Sequence, residues 1–168
     1  MTDKFRESGG FGADQMLACL RRISRMMDVR SRFLIAKYGL SLPQTVVLRE
    51  LSAAAEPLAI CDLIRRVYLS QATLTGIVDR LERQEVVRRT RSGRDRRRYL
   101  IELTDRGRTM LERIPSPLDE RFSEEFESLP AAERDSLLAA LRKVVRVMES
   151  STGLAEAAAV EAEKTRPR

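Results

Sequence analysis

Ser70-Gln71-Ala72-Thr73-Leu74-Thr75-Gly76-Ile77-Val78-Asp79-Arg80-Leu81-Glu82-Arg83 is followed closely by Val86-Val87-Arg88-Arg89-Thr90-Arg91-Ser92-Gly93-Arg94-Asp95-Arg96-Arg97-Arg98-Tyr99-Leu100-Ile101-Glu102-Leu103-Thr104. In the first stretch Leu74, Ile77, Val78 and Leu81 hold the i, i+3, i+4, i+7 spacing of one helix face, and Ser70 is a favoured N-cap residue. In the second, Tyr99, Ile101 and Leu103 alternate with Leu100 and Glu102. With Ser92-Gly93 as its turn, this predicts a β-hairpin whose return strand runs from Arg96 to Thr104. An amphipathic helix leading into a basic hairpin is half of a winged helix-turn-helix.

The helix face opposite the apolar one is Ala72, Gly76, Asp79 and Arg83, flanked by Thr75 and Arg80. Glycine in a helix interior costs about 1 kcal/mol against alanine, so Gly76 suggests that something approaches the backbone closely there. The edge of a base pair in the major groove is such a thing. On this reading Gln71, Thr73 and Thr75 exchange hydrogen bonds with bases, Ala72 touches a thymine methyl, and Ser70 and Arg80 hold phosphates. A plain surface helix is the alternative for this segment.

The charge supports the nucleic-acid reading. The chain has 168 residues, 31 Lys plus Arg against 25 Asp plus Glu, and a net charge of +6. Seven arginines and one acid between Arg88 and Arg98 account for all of it, leaving 24 basic and 24 acidic groups elsewhere. Basic character confined to one hairpin is the footprint of a phosphate-contacting element, whereas a ribbon charged only to protect its edge would mix signs. Arginine's planar guanidinium also suits a narrow minor groove, so Arg94, Arg96 and Arg97 are read as the wing's DNA contacts, with Asp95 holding Arg97 in place or capping the turn.

Working outward, Leu20, Ile23, Met27, Ser31, Leu34 and Tyr38 describe one long helix from Asp14 with a core-facing stripe. Cys19, Met26 and Phe33 form a second stripe about 100° away, and a helix with two apolar faces hints at a subunit interface. A shorter helix from Leu42 to Leu51 opens with Ser41 and Pro43. Pro57 to Ile60 can give a very short strand. Leu63, Ile64 and Val67 face a third helix ending near Tyr68. After the hairpin, helical periodicity resumes at Asp105, breaks at Pro115 and Pro117, and restarts near Leu118. Pro130 then opens a last helix through Leu137, Leu141, Val144, Val145 and Met148. Residues 1–12 read as a flexible leader and 151–168 as a frayed tail.

Composition narrows the function classes. The chain has no histidine, which removes the commonest general base and zinc ligand, and it contains no Walker loop and no GxSxG motif. No paired acid and base suggests catalysis, so neither catalytic nor metal residues are assigned and no cofactor is implied. Two lone cysteines, Cys19 and Cys61, and no apolar run near the roughly 18 residues of a membrane span predict a cytoplasmic protein without membrane contact. Cys61 reads as core, and Cys19 as an inert buried thiol on an apolar stripe.

Pro57 to Gln84, followed by Val86 to Gly107 with its Asp95-Arg96-Arg97 wing tip and Leu103-Thr104-x-x-Gly107, resembles the MarR family of transcriptional regulators. The flanking helices are in the family's order from about residue 13 to 150. The resemblance implies a mainly α fold with a small β-hairpin wing. It divides the chain into a dimerisation helix at 13–38, a winged helix-turn-helix at 39–105 and further dimerisation helices at 106–150. It implies a homodimer on a palindromic double-stranded DNA operator, usually a repressor, released by a small ligand that is often aromatic. Many members have glycine where Tyr68 stands, and a tyrosine is strained at positive φ, so the sequence argues against a left-handed turn there. The alternatives are a redox sensor of the same fold acting through Cys19 and a sequence-blind architectural DNA-binding protein. Single-stranded RNA is disfavoured because Tyr99 is the hairpin's only aromatic.

Overall fold

The structure, a computed structural model, describes residues 10–91, 93, 98–118 and 120–151. In order it contains α1 (Gly10–Tyr38), α2 (Leu42–Ala53), β1 (Leu58–Ala59), α3 (Ile60–Val67), α4 (Gln71–Arg83), β2 (Val87–Arg91), β3 (Tyr99–Leu103), α5 (Asp105–Glu112), α6 (Glu120–Ser128) and α7 (Ala131–Ser151). The fold is mainly helical with a small antiparallel sheet in the order β1-β3-β2. The chain forms two units, residues 1–119 and 120–168.

In the first unit one core joins α2, α4 and the sheet. Leu48, Leu63, Leu74, Val78, Leu81, Val86, Ile101 and Leu34 are fully or almost fully buried in it. The four residues expected to form the inner face of α4, Leu74, Ile77, Val78 and Leu81, are its four buried residues. α2 begins with a capping box, in which the Ser41 side chain accepts from the Gln44 N–H and the Gln44 side chain accepts from the Ser41 N–H at 2.8 Å. Ser31 joins α1 to α2, its hydroxyl accepting from the Leu42 N–H at 3.1 Å.

α1 differs from its expected form in two ways. It starts at Gly10, so Gly10, Phe11 and Gly12 belong to the helix and not to a leader. Its first stripe faces the core only near the end, where Leu34 is buried and Ser31 and Tyr38 are half-buried. Ile23 and Met27 are exposed, as are Met26 and Phe33 on the second stripe, because the lobe reaches only the last two turns. Cys19 is accordingly exposed within the chain.

Tyr68 corrects a second expectation. It closes α3 at φ 53°, ψ 39°, with its N–H donating to the Ile64 carbonyl at 3.0 Å, so the left-handed turn is present without glycine. The turn into α4 demands this backbone, and the ring is left in solvent with 89% of its surface exposed.

The sheet pairs Leu58 with Ile101, and Val87 through Arg91 with Leu103 through Tyr99. The return strand therefore starts at Tyr99, not Arg96. The expected turn at Ser92-Gly93 falls in a stretch of which only Gly93 is described. Beyond the sheet, Thr104 caps α5, its hydroxyl accepting from the Gly107 N–H at 3.0 Å and donating to the Glu85 carbonyl at 2.7 Å. A Cβ at Gly107 would stand 2.0 Å from the Val86 carbonyl oxygen, which gives the Leu-Thr-x-x-Gly pattern its physical reason. At the end of α5 Arg49 donates to the Ile114 carbonyl, and Arg30 reaches the carbonyls of Ser116 (2.8 Å), Pro117 (3.4 Å) and Leu118 (3.5 Å).

In the second unit Phe122 and Phe126 stack at 6.1 Å on α6. Pro130 opens α7, its carbonyl accepting from the N–H groups of Glu133 and Arg134. Leu137, Leu141, Val145 and Met148 line an exposed apolar face of α7. None of the described helices is long and apolar enough to cross a membrane.

Candidate nucleic-acid interface

The site is built on α4. Ser70 caps it with extended backbone, its Oγ accepting from the Thr73 N–H at 3.2 Å, and the Ser70 and Thr73 hydroxyls lie 2.9 Å apart. The expected phosphate contact Ser70 and base contact Thr73 are thus hydrogen-bonded to each other in the free chain. Gln71, Ala72 and Thr73 are exposed; Thr75 and Gly76 are half-buried on the same outer side. A Cβ at Gly76 would meet only Arg80 Nη2, at 3.8 Å, so no packing within the described residues requires glycine there.

Arg80 lies back along its own helix, with Nε donating to the Gly76 carbonyl at 3.0 Å, and Arg83 does the same to the Asp79 carbonyl at 3.3 Å. Each guanidinium keeps its terminal nitrogens for other acceptors. The structure thus brings Ser70, Gln71, Ala72, Thr73, Thr75, Gly76 and Arg80 onto one helix. Arg94, Asp95, Arg96 and Arg97, with the expected contact between Asp95 and Arg97, lie outside the described residues.

The basic hairpin is less uniform than its charge count suggests. Arg89 points inward, 23% exposed, and bridges α4 to β2 by binding Glu82 at 2.6 Å and Asp79. Arg88 pairs with Glu102 across the strands at 2.9 Å. Arg91 lies over the Tyr99 ring at 5.8 Å. Arg98 Nη2 is 3.0 Å from Cys61 Sγ, and Cys61 is half-buried beside the hairpin, not in the core. Among the described residues, Arg88 and Arg89 therefore have carboxylate partners inside the lobe.

Sequence reasoning missed Arg89, although the alternation carries the signal. Arg89 is two residues from the buried Val87 and pairs with the buried Ile101. An arginine on the inner face of a strand needs acids opposite, and Asp79 and Glu82, three apart on α4, supply them.

Against known proteins, residues 40–99 match the MarR family, which spans α2 to the start of β3. These residues form a MarR-family domain. Its curated relatives in that family include the uncharacterized HTH-type transcriptional regulator YsmB of Bacillus subtilis (strain 168), 28% identical over 109 residues, 65% of this chain and 74% of YsmB. The HTH-type transcriptional repressor NicR of Pseudomonas putida is 37% identical over 90 residues, 53% of this chain and a little over half, 56%, of NicR. Among solved structures, Bordetella bronchiseptica BpsR, whose DNA binding is regulated by 6-hydroxynicotinic acid, shares 27% identity with a TM-score of 0.62 over 78% of this chain and 98% of BpsR. MarR-family proteins and the curated relatives named here are transcriptional regulators, not enzymes.

Proposed function

We propose that the chain is a cytoplasmic homodimer that binds a palindromic double-stranded DNA operator, represses transcription there, and is released by a small aromatic ligand. The observation that carries the reading is the outer face of α4. Gln71, Ala72, Thr73, Thr75 and Gly76 are small or polar, lie on the outer side of a capped helix, and are not among its buried residues. In the major groove Gln71 and Thr75 read base edges, and Gly76 lets the helix backbone come close. The wing arginines 94, 96 and 97 enter the adjacent minor groove, with Asp95 ordering Arg97. Ser70 and Arg80 hold phosphates once released from their contacts within the helix.

Dimerisation is supported by the exposed apolar residues of α1 and of α7, each of which needs cover. The repressor role and the aromatic ligand are supported by likeness to NicR and to BpsR. Selection of bound sequences from a random duplex pool at near-physiological salt tests the reading. An enriched inverted repeat with half-sites about one helical turn apart is expected. Tight binding with no enriched sequence would overturn it in favour of an architectural role.

A further inference from the structure

Tyr68 is a residue whose identity the fold does not explain. The turn from α3 to α4 needs a left-handed residue, and glycine or asparagine adopts that conformation with least strain. Tyrosine is strained there, and its side chain makes no hydrogen bond or ring contact with the described residues. At 89% exposure it is the most exposed large hydrophobic residue described. It stands two residues before the α4 cap Ser70, at the end of the helix where Gln71, Ala72 and Thr73 are exposed. In the preceding turn Arg65 pairs with Asp62 at 3.6 Å and Arg66 with Glu50 at 3.8 Å. A strained, unpacked aromatic beside the reading helix is left facing outward, where the folded state gains nothing from it.

We infer that Tyr68 contacts the DNA backbone. Its phenolic O–H donates to a phosphate oxygen flanking the bases read by α4, and its ring lies against the adjoining sugar. This rests on the DNA-binding reading above and adds a specific backbone contact to it. Tyrosine suits the task, since only two side-chain torsions are fixed on binding. The contact has a signature that separates it from the arginines: a neutral donor displaces no counterion, so losing it weakens binding without changing the salt dependence.

The test uses the full chain and the duplex enriched in the selection experiment, with Kd measured by fluorescence anisotropy at several salt concentrations and melting followed at one protein concentration. Tyr68→Gly is expected to melt no lower than wild type, and Tyr68→Phe close to it. Both should raise Kd, Tyr68→Gly by about tenfold or more, with the slope of log Kd against log salt unchanged. Wild-type affinity in both variants would overturn the inference while leaving the DNA-binding reading intact. Wild-type affinity in Tyr68→Phe alone would overturn the hydroxyl contact. A lower Tm or a smaller dimer fraction in Tyr68→Gly would overturn it by placing Tyr68 in the fold or between copies. Failure of the wild-type chain to bind any duplex would overturn the DNA-binding reading and this inference together.

Discussion

Replacing Gly76 by alanine should move stability and DNA affinity in opposite directions. A Cβ built at residue 76 meets only the far end of Arg80, at 3.8 Å, an ordinary van der Waals contact. Nothing offsets the intrinsic gain of putting alanine into a helix interior, about 1 kcal/mol. For a chain of 168 residues that corresponds to a Tm higher by roughly 2–4 °C. If α4 enters the major groove with Gly76 against a base pair, the added methyl group occupies that space. Affinity for the selected duplex should then fall about tenfold or more, equivalent to about 1.4 kcal/mol. Urea denaturation and anisotropy titrations on the same preparation measure both quantities. Destabilisation would show that the lobe itself requires glycine, and unchanged affinity would show that no DNA approaches the helix at this point.

Three further outcomes follow from the geometry. Arg89→Ala should lower stability by about 1–2 kcal/mol in urea melts, less than two undiscounted charged hydrogen bonds because Asp79 and Glu82 are partly exposed. It should also change the salt slope of DNA binding less than Arg97→Ala, which should remove about one unit per lost phosphate contact per subunit. Gly107→Ala should destabilise by about 2–3 kcal/mol or prevent folding, because the backbone oxygen of Val86 cannot turn aside as a side chain would; a Tm close to wild type would contradict the packing of α5 on that carbonyl. Gln71→Ala and Thr75→Ala should each alter base preference at particular positions by about 1–3 kcal/mol in a repeated selection, while leaving the salt slope unchanged.

The elements of the first unit were legible wherever side-chain period and burial agree. Leu74, Ile77, Val78 and Leu81 identified α4, and Ser41, Ser70 and Pro43 marked helix starts, because caps and periodicity are local. Tyr68 was misread because its own propensity opposes the turn that the next helix requires, and tertiary demand overrode the local preference. Arg89 was hidden in a charge count that treats a run of arginines as one surface, although the strand alternation separates the inner from the outer ones. Ile23 and Met27 looked core-facing because periodicity shows that a face is apolar, not what covers it.

The hairpin is anchored at its base. Arg89 is tied to α4, β3 is flanked on its other edge by β1, and Val86, Thr104 and Gly107 are locked together. These contacts hold the base of the hairpin whatever length of chain joins Arg91 to Tyr99. Loop-closure entropy grows slowly, by about 0.6 kcal/mol for each doubling of length, so residues can be added or removed there at small thermodynamic cost. The lobe is thus a fixed mount for an interchangeable probe, and a lineage could retune how far that probe reaches along DNA by insertion and deletion alone, leaving the reading helix untouched.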